Sequence, residues 1–173
     1  MVVNYPAPVL RKRADEVKRI DEWVRNLVVR MKQLMVEHAG VGLAAPQVNV
    51  GLRVFVWAPS GKVEEARAII NPVLSNERGA VEGEEGCLSL PEIRTKVTRF
   101  QAVHIEGVDE NGQPVALDLE EFPARVVQHE NDHLDGILIL DRMSPMAKLA
   151  NRGKVKDLEA EWVEREGTKA LRH

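Results

Sequence analysis

The chain has a single cysteine, Cys87, in 173 residues. A lone thiol forms no internal disulfide, so nothing here points to a disulfide-stapled secreted scaffold. Aromatic residues make up only 4% of the chain, and the core must therefore be mainly aliphatic. Charge of neither sign dominates: 24 Lys and Arg stand against 27 Asp and Glu, for a formal net charge of -3. That balance lacks the basic footprint of a nucleic-acid binder, and no specific nucleic-acid partner is expected. The basic run Arg11-Lys12-Arg13 leads directly into Ala14-Asp15-Glu16 and reads as solvated surface. No apolar run approaches the length needed to span a bilayer, so no membrane partner is expected. The first twenty residues mix Pro6, Pro8, bases and acids, which suits neither a signal peptide nor a transit peptide. Internal repeats, low-complexity tracts and long linkers are also missing. What is there is ordinary for a globular protein: 44% apolar and 29% charged residues. The length suits one domain, 1–173, with a real core, and the cytoplasm is its expected location.

The segment "DEWVRNLVVRMKQLMVEH" predicts an amphipathic helix. Trp23, Leu27, Met31, Leu34 and Met35 recur at helical spacing, and Asp21 can cap its start. Gly40 and Gly42 are expected to end it. "LRVFVWA" (52–58) and "ARAIINPVL" (66–74) are β-branched runs bounded by Pro and Gly, and predict strands. Residues 102–120 alternate apolar and polar around Asn111-Gly112, a hairpin pattern. His104 falls on that hairpin with no liganding neighbour in sequence and reads as structural or surface. Helix returns with Pro123 as its first position and Gly136 as its stop. A last helix is expected from Ser144-Pro145, bent at Gly153, so that about 150–173 forms a C-terminal helical segment. Helix, then strands, then helices indicates an α+β fold rather than a parallel βαβ sheet.

The chemistry concentrates in "VVQHENDHLDG" (126–136). On a helix, His129 and His133 share a face one turn apart, so their ring nitrogens can converge on one ion. Glu130 beside them completes an H-E-x-x-H pattern, in which the Glu serves as general base. A catalytic metal needs a third protein ligand. Continuation of the motif by a further histidine fails, because the corresponding position is Ile139. Glu159 lies downstream within a run of charges and reads as a solvated face. Upstream, "GEEGCLSLPEIR" (83–94) carries Cys87 next to Gly86, which allows close backbone approach. A thiolate with two imidazoles binds a borderline-soft divalent ion and leaves one position open. In "GVGLAAPQ" (40–47), glycines and alanines make a thin wall, and the Gln47 amide can donate to a developing oxyanion.

Taken together, "GVGLAAPQ", "EGCLS" and "QHENDH" closely resemble, in order and spacing, the three signature motifs of the peptide deformylases. The likeness runs from about Tyr5-Pro6 to about Leu149. It implies a fold of antiparallel or mixed sheets packed around a central metal-binding helix, with helices at both ends. It implies hydrolysis of the formyl group from the N-terminal formyl-methionine of new polypeptides, with release of formate. Under it Cys87, His129 and His133 would be the metal ligands, a metal-bound water the nucleophile, and Glu130 the general acid/base. The oxyanion would be held by the Gln47 side chain and the Leu88 backbone N–H, and Gly42 would touch the substrate. The family is associated with Fe²⁺; ligand chemistry alone admits Zn²⁺ equally, and Ni²⁺ or Co²⁺ are expected substitutes. Partners would be formyl-methionyl peptides or nascent chains, with the ribosome a place of encounter. The substrate is expected to lie extended along Gly40–Leu43, with its methionine against Val41 and the helix face carrying Val126 and His129.

Overall fold

In a computed structural model, which describes residues 1–60 and 62–170, Asp21 caps helix α1 (Glu22–Glu37) by accepting a hydrogen bond from the Val24 amide. The buried stripe of α1 is Val24, Val28, Met31, Leu34 and Met35. Trp23, read from sequence as part of that stripe, is instead 56% exposed. The two valines complete the helical repeat that the tryptophan only borders, so the inward face is rotated by one position. The helix also stops earlier than the glycines suggest. Ala39 takes the left-handed conformation (φ 53), and the Gly40 amide closes back onto the Met35 carbonyl at 2.8 Å.

The strands form two sheets whose ladders are all antiparallel. Five strands pair in the order β1-β2-β3-β6-β7: β1 (Gly42–Ala44), β2 (Val54–Trp57), β3 (Arg67–Arg78), β6 (Ala102–Val108) and β7 (Pro114–Glu120). The other two, β4 (Val81–Cys87) and β5 (Leu90–Arg99), pair only with each other. All four residues of β2 are buried, which explains its unbroken apolar sequence. The expected hairpin is β6–β7, with His104 opposite Asp118. His104 lies at the surface, away from the metal donors: its ring bonds the exposed Asp118 at 2.8 Å and Glu106 at 3.2 Å, and those carboxylates raise its pKa.

Helix α2 (Glu121–Leu134) begins two residues before Pro123. Pro123 still lies in the first turn, where its missing N–H costs no intrahelical bond. At the other end Gly136 (φ 73) ends the helix as expected. The Ile137 and Gly136 amides donate to the Asp132 and His133 carbonyls at 2.9 and 3.2 Å, a Schellman closure. A side chain there is excluded twice over, since a Cβ would also sit 2.7 Å from the Arg11 carbonyl oxygen.

A short helix α3 (Ile139–Arg142), not anticipated from sequence, precedes α4 (Pro145–Ala170). Ser144 accepts from the Ala147 amide at the start of α4. Helix α4 continues unbroken through Gly153, and its Leu158 packs with Leu90, Ile93 and Val97 of β5. The core is aliphatic as expected: among the described residues, Phe55 and Trp57 are the only buried aromatics. No described helix is long and apolar enough to cross a membrane.

Candidate active site

Helix α2 carries His129 and His133 one turn apart, and Cys87 ends β4. Their ligand atoms all lie within 4.8 Å of one another, a cluster that could hold a metal ion. Cys87 Sγ is 3.4 Å from His133 Nε2. The competing third ligand is elsewhere: Glu159, on α4, accepts a hydrogen bond from the Tyr5 hydroxyl at 3.0 Å. Ile139 is a buried core residue.

The donors are prepared for a cation. His129 Nδ1 bonds Glu85 Oε1 at 2.8 Å, which leaves Nε2 for the ion. Burial, reinforced by the charges of His129 and Arg99, pushes the His133 imidazole well below its ordinary pKa, towards the neutral form a ligand requires. Burial would lower His129 as well, but hydrogen bonds with Cys87 and Glu85 hold it well above its usual value. A metal bound by His129 would take the place of that proton. One thiol and two imidazoles suit a borderline divalent ion.

Glu130 is buried beside this cluster, and its Oε2 has no protein partner. Burial, against the opposing effect of His129, raises its carboxyl to about 7, the range suited to a general base at neutral pH. Gly42 makes this position available. A Cβ on Gly42 would sit 2.5 Å from Glu130 Oε1, so only glycine lets the carboxyl lie against β1.

Gln47 lies in a short 3₁₀ turn (Ala45–Val48) after β1. Its Oε1 accepts from the Ala44 amide at 2.9 Å, and this fixes the amide so that Nε2 faces Ser89 Oγ at 3.2 Å and Cys87 Sγ at 3.5 Å. Leu88 occupies the turn directly after Cys87. A cleft of about 800 Å³ opens over the cluster, and Gly40, Val41, Gly42, Gln47, Leu88 and Val126 line it together with Cys87, His129 and Glu130. The residues singled out from sequence therefore meet at one place, with His133 buried behind them.

Sequence reasoning missed the residue that supports His129. Glu85 is buried and accepts from Arg99 Nε and Nη2 at 3.0 and 2.8 Å, from Arg125 Nη1 at 2.6 Å and from the His129 ring. Burial raises its carboxyl, but the hydrogen bonds from Arg99 and His129 outweigh that and hold it well below the usual carboxylate range. Two signals pointed to it: Glu85 opens the "EGCLS" motif, and it stands two residues before Cys87, on the same face once β4 is a strand.

The sequence profile of the polypeptide deformylase family matches residues 1–149. A peptide deformylase of Desulfosudis oleivorans is 44% identical over 167 residues, which cover 94% of this chain and 96% of that protein. The crystal structure of peptide deformylase from Plasmodium falciparum superposes with a TM-score of 0.91 at 37% identity, covering 95% of this chain and 98% of that one. Peptide deformylase from Thermotoga maritima superposes with a TM-score of 0.80 at 40% identity, covering 84% and 97%.

Proposed function

The chain belongs to the peptide deformylase family, metal-dependent hydrolases that remove the formyl group from polypeptide N-termini, and on that premise we propose that Cys87, His129 and His133 hold the catalytic ion while Glu130 moves the protons. The observation that carries this reading is the placement of a buried carboxyl with a free oxygen beside three convergent metal donors. We take the ion to be Fe²⁺, with Ni²⁺, Co²⁺ or Zn²⁺ as substitutes. When bound, it supplies Lewis acidity, acidifying water and polarising the formyl carbonyl.

The remaining work falls to the chain's own groups. Glu130 accepts a proton from the attacking water and delivers it to the departing amine, because an amine leaves poorly unless protonated. The Gln47 Nε2–H and the Leu88 backbone N–H donate to the oxyanion that develops on the formyl oxygen. The hydrogen bond from the Ala44 amide to Oε1 fixes the Gln47 side chain with Nε2 on the Cys87 side.

The substrate lies extended against β1, one of the two edge strands of the five-stranded sheet, and pairs its backbone with Gly40–Leu43 as an added strand. Its methionine rests on Val41 and Val126, both on the cleft wall. Formyl-methionyl nascent chains at the ribosome, in the cytoplasm, are the natural source of such ends. We treat 1–173 as one catalytic domain, a reading supported by the packing of α4 onto β5.

Two results are expected. Protein purified without oxygen contains Fe²⁺ and loses activity in air, whereas Ni²⁺- or Co²⁺-loaded protein lasts longer, because a redox-active ion bound to a thiolate exposes both to oxidation. Metal analysis checks this, and zinc at full occupancy with high, air-stable activity would overturn it. The second concerns fit. A formyl group carries only hydrogen beyond its carbonyl carbon, and with Glu130, Gln47 and Leu88 gathered around that carbon no room is expected for the methyl of an acetyl group. Formyl-Met peptides should turn over well, formyl-norleucine peptides nearly as well, and formyl-Ala peptides about 10-fold or more worse, since each pocket methylene is worth only about 1–3 kcal/mol. Acetyl-Met peptides should barely react. The kcat/KM values of these four peptides test the reading, and comparable rates on acetyl and formyl substrates contradict it.

A further inference from the structure

We propose that Arg125, acting with Glu85, is a positioning residue that sets the register of β4 against α2 and so delivers Cys87 to the two histidines. This rests on the assignment of Cys87, His129 and His133 as the metal ligands. Strand β4 shares no ladder with the five-stranded sheet, so backbone pairing with that sheet does not fix where Cys87 sits. The hairpin is tied to α2 through β5, by Arg99 on Asp132 and Gln128 on the Phe100 backbone, and contacts between β4 and α2 set the position of Cys87 within that frame.

The two elements have matching repeats. Alternate residues of β4 face one way, which aligns Gly83, Glu85 and Cys87, although the pairing with β5 shifts register between Gly86 and Cys87. Residues four apart on α2 share a face, which aligns Arg125, His129 and His133. Two strand residues advance about 6.6 Å, and four helix residues advance about 6.0 Å. The two rows therefore stay in step over three rungs, and each rung is present. Gly83 lies against Arg125, where a Cβ would stand 3.0 Å from Cζ. Glu85 bridges Arg125 at 2.6 Å and His129 at 2.8 Å. Cys87 meets His133 at 3.4 Å.

Arg125 is the clamp. Its Nη2 donates to the Val81 carbonyl of β4 at 2.8 Å, and its Nη1 donates to the Val97 carbonyl of β5 at 2.9 Å as well as to Glu85. One planar fork thus holds both strands of the hairpin to the helix, which a single ammonium could not do. A one-residue slip of β4 would turn Cys87 to the opposite face. It would also strip these carbonyls of their donor.

The test uses the full chain, freed of metal and reloaded with Co²⁺, whose thiolate-to-metal charge-transfer absorption reports bonding to Cys87. Affinity is read by competition with a chelator. Wild type shows the band. Arg125→Met is expected to bind Co²⁺ about 10–100-fold more weakly, the range for groups that orient metal ligands, with a diminished band and a loss in kcat. Gly83→Ala, which leaves every hydrogen-bonding group in place but crowds the guanidinium, should show the same signature in milder form. Arg125→Lys should restore it only in part. Wild-type affinity and an undiminished band in folded Arg125→Met overturn the proposal. Should that variant fail to fold, an undiminished band in both Gly83→Ala and Arg125→Lys overturns it instead. A missing band in wild type refutes the ligand assignment itself, so the two failures are distinguishable.

Discussion

Cys87→Ala is expected to lose tightly bound metal and formate release together, to background levels. Among the described residues the three donors form one cluster and no fourth joins it, and three protein ligands are the minimum for a catalytic site of this kind. The nearest alternative in sequence terms, Glu159, is committed to Tyr5 on another part of the molecule and cannot fill the gap. His129→Ala and His133→Ala should behave alike. Cys87→Ser should fail as well, because a neutral hydroxyl replaces an anionic thiolate. Metal content and formate release, measured on each variant, check the expectation. Full occupancy with normal turnover in Cys87→Ala would mean that the third ligand lies elsewhere.

Glu130→Gln is expected to separate binding from chemistry. The variant should keep its metal, since Glu130 is not one of the clustered donors, yet lose roughly 10²–10⁴-fold in kcat, or about 3–5 kcal/mol. Glutamine keeps the shape but cannot take up a proton at neutral pH. Gly42→Ala should lower the same step while Glu130 itself is kept, because its Cβ would fall 2.5 Å from Glu130 Oε1 and drive the carboxyl out of place. Single-turnover formate release at matched metal content measures both. Near wild-type turnover in Glu130→Gln would remove Glu130 from the role of base.

What was legible in the sequence and what was not divide along a physical line. Metal ligation and proton transfer admit few residue types, so Cys87, His129, Glu130 and His133 stand out by identity, and helical spacing places three of them together. Gln47 and Gly42 were visible as part of a motif, but the structural reason for Gly42, room for the Glu130 carboxyl, was not. Positioning groups were hidden because arginine and glutamate are the commonest surface residues. Glu82, Glu84 and Glu85 stand close together in sequence, and nothing in their chemistry says that only Glu85 is buried. The same acidic run concealed β4 as a strand. Its partner β5 alternates buried and exposed residues over much of its length, yet two of its inward positions are Thr95 and Arg99, which blur the pattern. Trp23 misled for a related reason: it borders the apolar stripe of α1, and only packing decides which border faces in. Ala39 in a left-handed conformation is set by the turn that follows α1, against the intrinsic preference for glycine there.

The most direct measurement of the central claim is metal content and formate release from a formyl-methionyl peptide, taken on the same preparations of wild type, Cys87→Ala and Glu130→Gln. The account predicts metal and formate in wild type, neither in Cys87→Ala, and metal without formate in Glu130→Gln. Metal and turnover persisting in Cys87→Ala, or turnover persisting in Glu130→Gln, would contradict it.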